Sequence, residues 1–201
     1  MPNETKARIL TAALDLFSEN GYDGTNMQGI ADSVGIVKSA LYRHYKSKGE
    51  IFDAMLDYLT AYYDEHFGSA DGLPTIPKNG TELSALAMRM LDFTVNDATI
   101  VKVRKILTVE QFRFEKANIL ATKYFYVNTE SFFARIFDGM MKNGVMKRGD
   151  AALLAFEFSS PITVLIHDCD RDPKRKNDNM EKAKKHIDRF CTENVGNGDK
   201  E

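Results

Sequence analysis

Residues 25–52 read TNMQGIADSVGIVKSALYRHYKSKGEIF, and this stretch decides the fold of the amino-terminal part of the chain. Two short helical segments meet at Ser33-Val34-Gly35-Ile36. In the first, Ile30, Ala31 and Val34 make one apolar stripe at helical spacing. Gly35 follows where a sharp turn needs a residue free to take positive φ. In the second, Leu41 and Tyr45 stand at i and i+4 and face inward. That leaves Lys38, Ser39, Tyr42 and, in part, Arg43 on the outer faces. Thr25 with Gln28 has the T-x-x-Q form of a capping box and opens the first segment. Ser47 with Glu50 forms a second box, S-x-x-E, and opens a longer helix at about Lys48. From Ser33 to Gly49 the charged residues are Lys38, Arg43, Lys46 and Lys48, with no Asp or Glu among them. This is the pattern of a helix-turn-helix whose second helix lies in the major groove of DNA. The competing reading is a packed helical pair with a solvated basic face. The stripe, the glycine turn and the paired caps together favour the first.

The whole chain sets the bounds. At 201 residues it holds one large domain or two modest ones, and 43% hydrophobic content supports a sizeable core. A net charge of −2 excludes a surface that coats nucleic acid all over, and confines basic charge to a local patch. The start, MPNETKARIL, has no apolar run of signal-peptide length, so a cytoplasmic protein is expected. No stretch approaches about 18 uninterrupted apolar residues, so no membrane span is expected. Cys169 and Cys191 lie far apart, fit no zinc spacing and read as two reduced thiols. His167, Asp168, Cys169 and Asp170 are metal-binding types, but only residues three or four apart share a helix face. No metal and no cofactor is therefore expected. The sequence has no G-x-S-x-G, P-loop or H-E-x-x-H, and carboxylates such as Glu110 and Glu115 read as ordinary helix-surface groups. An enzyme is not expected.

Helical periodicity runs from Glu4 to Asn20, stopped by Asn20-Gly21, and again from Lys48 to Phe67. Gly68, Gly72, Pro74, Pro77 and Gly80 mark the clearest break. Helices are expected beyond it at about 81–96, 98–115, 118–142, 150–168 with Asp150 as N-cap, and 173–191 with Pro173 in the first turn. The tail from Asn194 is expected to be disordered. No alternating apolar run appears, so the fold class is all-α. The helix over 48–67 reads as the only continuous rigid link between the head and the helices after the break. Two segments are over-apolar. Ala151 to Ile166 has only Glu157, Ser159, Ser160 and Thr163 as polar side chains. Asn118 to Met141 carries Tyr124, Phe125, Phe132, Phe133, Ile136, Phe137, Met140 and Met141. A helix apolar nearly all round must be buried on more than one face. One face meets the chain's own core; the other meets either more core or a second copy, in a four-helix dimer interface.

With these motifs in place, the chain resembles the TetR family of bacterial transcriptional repressors over about residues 6–55. The resemblance runs from R-I-L-x-A-A-L-x-L-F through N-G-Y-x-G-T, I-A-x-x-x-G and L-Y-R-H-Y to K-S-K-x-E-I-F, in the family's order and spacing. It implies an N-terminal three-helix helix-turn-helix domain (1–47), a connecting helix (48–67) and a C-terminal helical domain for effector binding and dimerisation (68–201). It further implies a homodimer on a palindromic double-stranded operator, released by a small-molecule effector. By position, Thr25 and Met27 would lie near phosphate at the start of the first motif helix. Val37, Lys38 and Ser39 would lead the recognition helix, Tyr42 and His44 would contact phosphates, and Lys48 would hold another. Tyr45 replaces a usual Phe and reads as core. Val37 stands in place of a capping Ser, and Ser39 in place of a Gly that allows close approach to the groove.

A Phe-, Tyr- and Met-rich helical domain can enclose an apolar effector pocket, although the same residue types also make plain core. Candidate lining residues are Met90, Phe93, Leu107, Gln111, Phe112, Tyr126 and Phe156, with Arg104, Glu110 or His167 as polar contacts. The alternatives to a ligand-responsive repressor are a constitutive DNA-binding dimer and a helical adaptor without an effector.

Overall fold

The computed structural model describes residues 4–67 and 75–196. Ten α-helices follow one another among these residues: α1 Glu4–Gly24, α2 Met27–Val34, α3 Lys38–His44, α4 Lys48–Phe67, α5 Gly80–Asn96, α6 Ala98–Glu110, α7 Glu115–Thr122, α8 Asn128–Lys142, α9 Ala151–Arg171 and α10 Lys176–Asn194. Apart from an isolated bridge between Met146 and Val195, the described residues contain no β structure, so the chain is all-α. It divides into two compact units. The first comprises α1–α4 with α6 and α7, and the second comprises α5 with α8–α10.

The first unit is a helical head. Gly21, at φ 67 and ψ 177, breaks α1 where the Asn20-Gly21 stop was expected. Ile9, Ala13 and Phe17 of α1 are buried with Ile30, Ala31 and Val34 of α2, Leu41 of α3, and Ile51, Phe52, Met55 and Leu59 of α4. Gly35 takes φ 76 at the end of α2, as the turn requires. Arg8 donates a hydrogen bond to the Val34 carbonyl at 2.6 Å, which satisfies one orphan acceptor of the last turn of α2. Two caps differ in outcome. Ser47 Oγ accepts from the Glu50 amide, and Glu50 reaches back to the Lys46 amide, a reciprocal cap. The Thr25–Gln28 box does not form. Asn26 is the N-cap, accepting from the Gly29 amide at 3.0 Å, because Thr25 is buried with its hydroxyl on the Gly21 carbonyl and Gln28 turns to Asp32.

The link between sequence halves also differs from expectation. The 48–67 helix is not alone in carrying rigid contact to the head, since α6 and α7 pack in the same unit. Lys102 pairs with Asp15 at 2.6 Å, Lys116 with Asp57 at 2.8 Å, and Phe114 lies 4.7 Å from the Tyr22 ring. Periodicity within each helix cannot show which distant helices share a core.

The second unit packs Leu83, Phe133, Ile136, Phe137, Met140, Ala155, Phe158, Ile187 and Phe190 into one cluster. Its segment 118–142 is not one helix: α7 gives way to a π-helical turn, Lys123–Val127, before α8. The wide turn resets the helical register. As a result Tyr124, Phe125, Phe133, Ile136, Phe137 and Met140 are all buried within the chain, and the expected excess of apolar surface on α8 is largely absorbed there. On α9 the excess remains: Leu153, Phe156 and Val164 are 54%, 54% and 66% exposed. Among the described residues α9 is also the one helix long and apolar enough to cross a membrane, where the sequence shows no uninterrupted apolar run of that length. Ser159, Ser160 and Thr163 each return their hydroxyl to a carbonyl four residues back, which lowers their polar cost.

Other boundaries moved slightly. Asp150 caps α9 as expected, accepting from the amides of Ala152 and Leu153. Pro173 opens a 3-10 turn rather than α10 itself. The tail is ordered further than expected: Asn194 ends α10, Val195 is buried, and Gly196 donates to the Val145 carbonyl. Residues 68–74 of the break and 197–201 of the tail lie outside the described residues. Cys169 and Cys191 are free and buried, and burial, with the Asp188 charge second, pushes the Cys191 thiol up to about 11.

Candidate nucleic-acid interface

The head displays its basic patch on α3. Leu41 and Tyr45 are buried, at 0% and 6% exposure, so the opposite face of this short helix is fixed outward. Val37, Lys38, Ser39, Tyr42 and Arg43 are all exposed, and His44 is half-buried. Val37 is the N-cap of α3 and makes no side-chain cap bond, as expected where valine replaces a capping serine. An exposed valine at a cap position gives up about 1 kcal/mol of helix stability relative to Ser or Thr. Burial, then the Glu50 charge, raises the Tyr45 hydroxyl above its ordinary value, so it stays neutral in the core.

The remaining sequence-derived contact residues divide. Thr25 and Met27 are buried, at 3% and 8% exposure, so their side chains serve the fold, and what this end of α2 can offer a phosphate is backbone N–H. Lys48 is half-buried and largely engaged. Its ammonium donates to the carbonyls of Tyr22 at 2.6 Å and Thr25 at 2.9 Å, and lies 4.1 Å from the Tyr22 ring centroid. It bolts the start of α4 to the loop leading into α2, leaving at most one N–H for a phosphate. Neither this bolt nor the Tyr22 cage was visible in the sequence. The Tyr22 ring stands 5.8, 5.2 and 4.7 Å from those of Phe17, Phe52 and Phe114. Spacing alone does not reveal that four aromatics from α1, α4 and the α6–α7 turn converge.

The effector candidates fall in both units. Leu107 is fully buried in the first, where Gln111 is half-buried and Phe112 is 85% exposed in the turn after α6 rather than on an inward helical face. In the second unit Met90 and Phe93 are half-buried, while Tyr126 and Phe156 are 56% and 54% exposed. Of the polar candidates, Glu110 accepts the Tyr22 amide, and His167 stands edge-on to Phe125 at 5.3 Å. A surface recess lined by Met141, Lys142, Arg148 and Gly149 includes none of them. His167, Asp168, Cys169 and Asp170 form no metal-holding group among the described residues.

The family described as bacterial regulatory proteins, tetR family, matches residues 9–55, the span that builds α1 to the start of α4. The chain belongs to this family. Over 76 residues it is 42% identical to IcaR of Staphylococcus epidermidis, the HTH-type negative transcriptional regulator of the biofilm operon icaADBC; the match covers 34% of this chain and 40% of that protein. The chain thus matches less than half the length of this TetR-family relative. Two solved structures share the fold along nearly the full length. A putative TetR-family regulator from Mesorhizobium loti is 18% identical, with a TM-score of 0.72 over 96% of this chain and 97% of that one. SmeT, the repressor of a multidrug efflux pump in Stenotrophomonas maltophilia, was solved with triclosan; it is 18% identical, with a TM-score of 0.71 over 98% and 94%. The TetR fold therefore extends through the second unit, where sequence likeness fades.

Proposed function

We propose that the chain is a ligand-responsive transcriptional regulator, acting as a repressor, that binds a palindromic operator as a homodimer. The observation that carries this reading is the acid-free, outward face of α3, with Lys38, Ser39, Tyr42 and Arg43 exposed while Leu41 and Tyr45 anchor its back. Such a face supplies charge for phosphates and donors for base edges at one place. The negative sign of regulation follows IcaR and SmeT. In this reading 1–47 is the DNA-binding domain, 48–67 the connecting helix and 68–201 the effector-binding and dimerisation domain. Selection by the full chain from a pool of random duplexes should recover one sequence with two-fold symmetry. Recovery of no preferred sequence would refute operator binding.

Dimerisation is supported by the apolar row Leu153, Phe156 and Val164 on α9, more than half exposed in a single chain. A second copy of the same row would cover it, in an isologous interface of more than about 1,000 Å² in total. Light scattering should give twice 22.7 kDa at micromolar concentration. A mass of 22.7 kDa would contradict the dimer.

Effector release would act through head separation, because half-sites fall at set positions along the duplex. A ligand that shifts α4, or α6 packed against α1, alters that separation. Ligand and operator are then antagonistic, and the coupling is reciprocal. Calorimetry of a compound found by thermal-shift screening should give weaker binding when the selected duplex is present. Equal affinity in both conditions would reduce the function to a constitutive DNA-binding dimer.

A further inference from the structure

We infer that Glu110, at the end of α6, is a positioning residue for DNA binding, holding the turn through which the chain enters α2. The inference rests on the DNA-binding reading above. Glu110 is 1% exposed, and a carboxylate so buried is costly unless its oxygens find partners. Oε1 accepts the Tyr22 backbone N–H at 2.8 Å, across 88 residues of sequence. Oε2 makes no hydrogen bond and lies 3.5 Å from Arg113 Nη1, while Arg113 Nη2 donates to Asp23 at 2.7 Å. The end of α6 thus grips the backbone on both sides of Tyr22.

The gripped segment is the break in α1. Gly21 takes φ 67, and a Cβ there would lie 3.4 Å from Glu110 Oε1, so the carboxylate approaches along the glycine's open side. From α4, Lys48 donates to the Tyr22 carbonyl at 2.6 Å. The residue is therefore held at its N–H by α6 and at its C=O by α4. Thr25, whose amide and hydroxyl bond the carbonyls of Tyr22 and Gly21, follows directly, and Asn26 then caps α2. These bonds pass the position of Tyr22 to the first turn of α2, the end read above as facing phosphate. An apolar side chain at 110 would join buried Ile106 and Leu107 without the cost of a buried charge. What the carboxylate adds is a fixed geometry for one peptide.

The test uses the full chain and a duplex it selects from a random pool, with Kd referred to the active fraction and folding followed by circular dichroism. Glu110→Ala removes the acceptor. Glu110→Asp keeps the charge but withdraws it by one methylene, and serves if the alanine variant does not fold. Either variant should bind at least about tenfold more weakly, and the slope of log Kobs against log salt should flatten by about one as a phosphate contact near α2 is lost. Amide exchange at Tyr22 should accelerate. Glu110→Gln retains an oxygen that accepts the Tyr22 N–H, and should stay within about threefold of the unsubstituted chain. A residue that served stability alone would lower the melting temperature but leave Kd and slope unchanged in the folded fraction, and that result overturns the inference. So does a Glu110→Gln chain as weak as Glu110→Ala. If the unsubstituted chain selects no duplex, the DNA-binding reading itself falls and takes this inference with it.

Discussion

Replacing Lys48 with methionine is expected to lower the stability of the head by about 2 kcal/mol, as loss of a charge-assisted hydrogen-bond donor does, and to weaken DNA binding at least tenfold, about 1.4 kcal/mol. Methionine keeps the apolar stem and loses only the ammonium. The Tyr22 carbonyl retains the Thr25 amide at 3.3 Å, but the bolt from α4 is gone and the Thr25 carbonyl loses its Lys48 donor. The cation over the Tyr22 ring is lost with it. Lys48→Arg separates the two roles. Its charge preserves attraction to phosphate and hence the salt dependence, while a planar guanidinium does not reproduce the ammonium's fit between two carbonyls. Urea denaturation beside anisotropy titration measures both. A methionine variant as stable as the unsubstituted chain would show that the bolt does not hold the head together.

Phe158→Ala is expected to destabilise the second unit by about 3–5 kcal/mol, the usual cost of emptying an aromatic site in a packed core. Phe158 is fully buried, with ring centroids of Phe133, Phe158's neighbour on α8, at 4.7 Å, Phe190 on α10 at 4.8 Å and Phe137 at 5.5 Å. One ring thus joins α8, α9 and α10, and no single neighbour can fill the space it leaves. Phe158→Leu should cost less than half as much. Chemical denaturation followed by circular dichroism reads the effect, and a loss below about 1 kcal/mol for alanine would mean that the cluster repacks freely.

The sequence shows the head well because its signals are local. The stripe Ile30, Ala31, Val34, the positive φ of Gly35 and the Leu41–Tyr45 pair each act within a few residues, and each appears as expected. The Thr25–Gln28 box failed for an equally local reason: Asn26, one residue on, is at least as good a cap, and spacing alone does not choose between neighbours. What stayed hidden is long-range. Glu110 reads as a surface carboxylate by composition, yet folding carries it to the Tyr22 amide. Phe112 has helical spacing with Leu107 and Ile106 but falls beyond the end of α6 and turns outward. The π-helical turn at Lys123–Val127 shifts the register of everything after it, so a count of apolar residues over 118–141 overstated the surface left for a partner. On α9 the same kind of count succeeded, because the helix is unbroken and its exposed row remains.

The central claim, that the exposed face of α3 reads duplex DNA, is tested most directly by anisotropy titrations across a salt series, on the selected duplex and on a scrambled one. The account predicts tighter binding to the selected duplex and a steep fall in affinity with salt. Tyr42→Phe and His44→Ala should each lose about 1 kcal/mol or more on both duplexes, and Lys38→Ala should also narrow the gap between them. Equal affinity for the two duplexes, unchanged in all three variants, would contradict it.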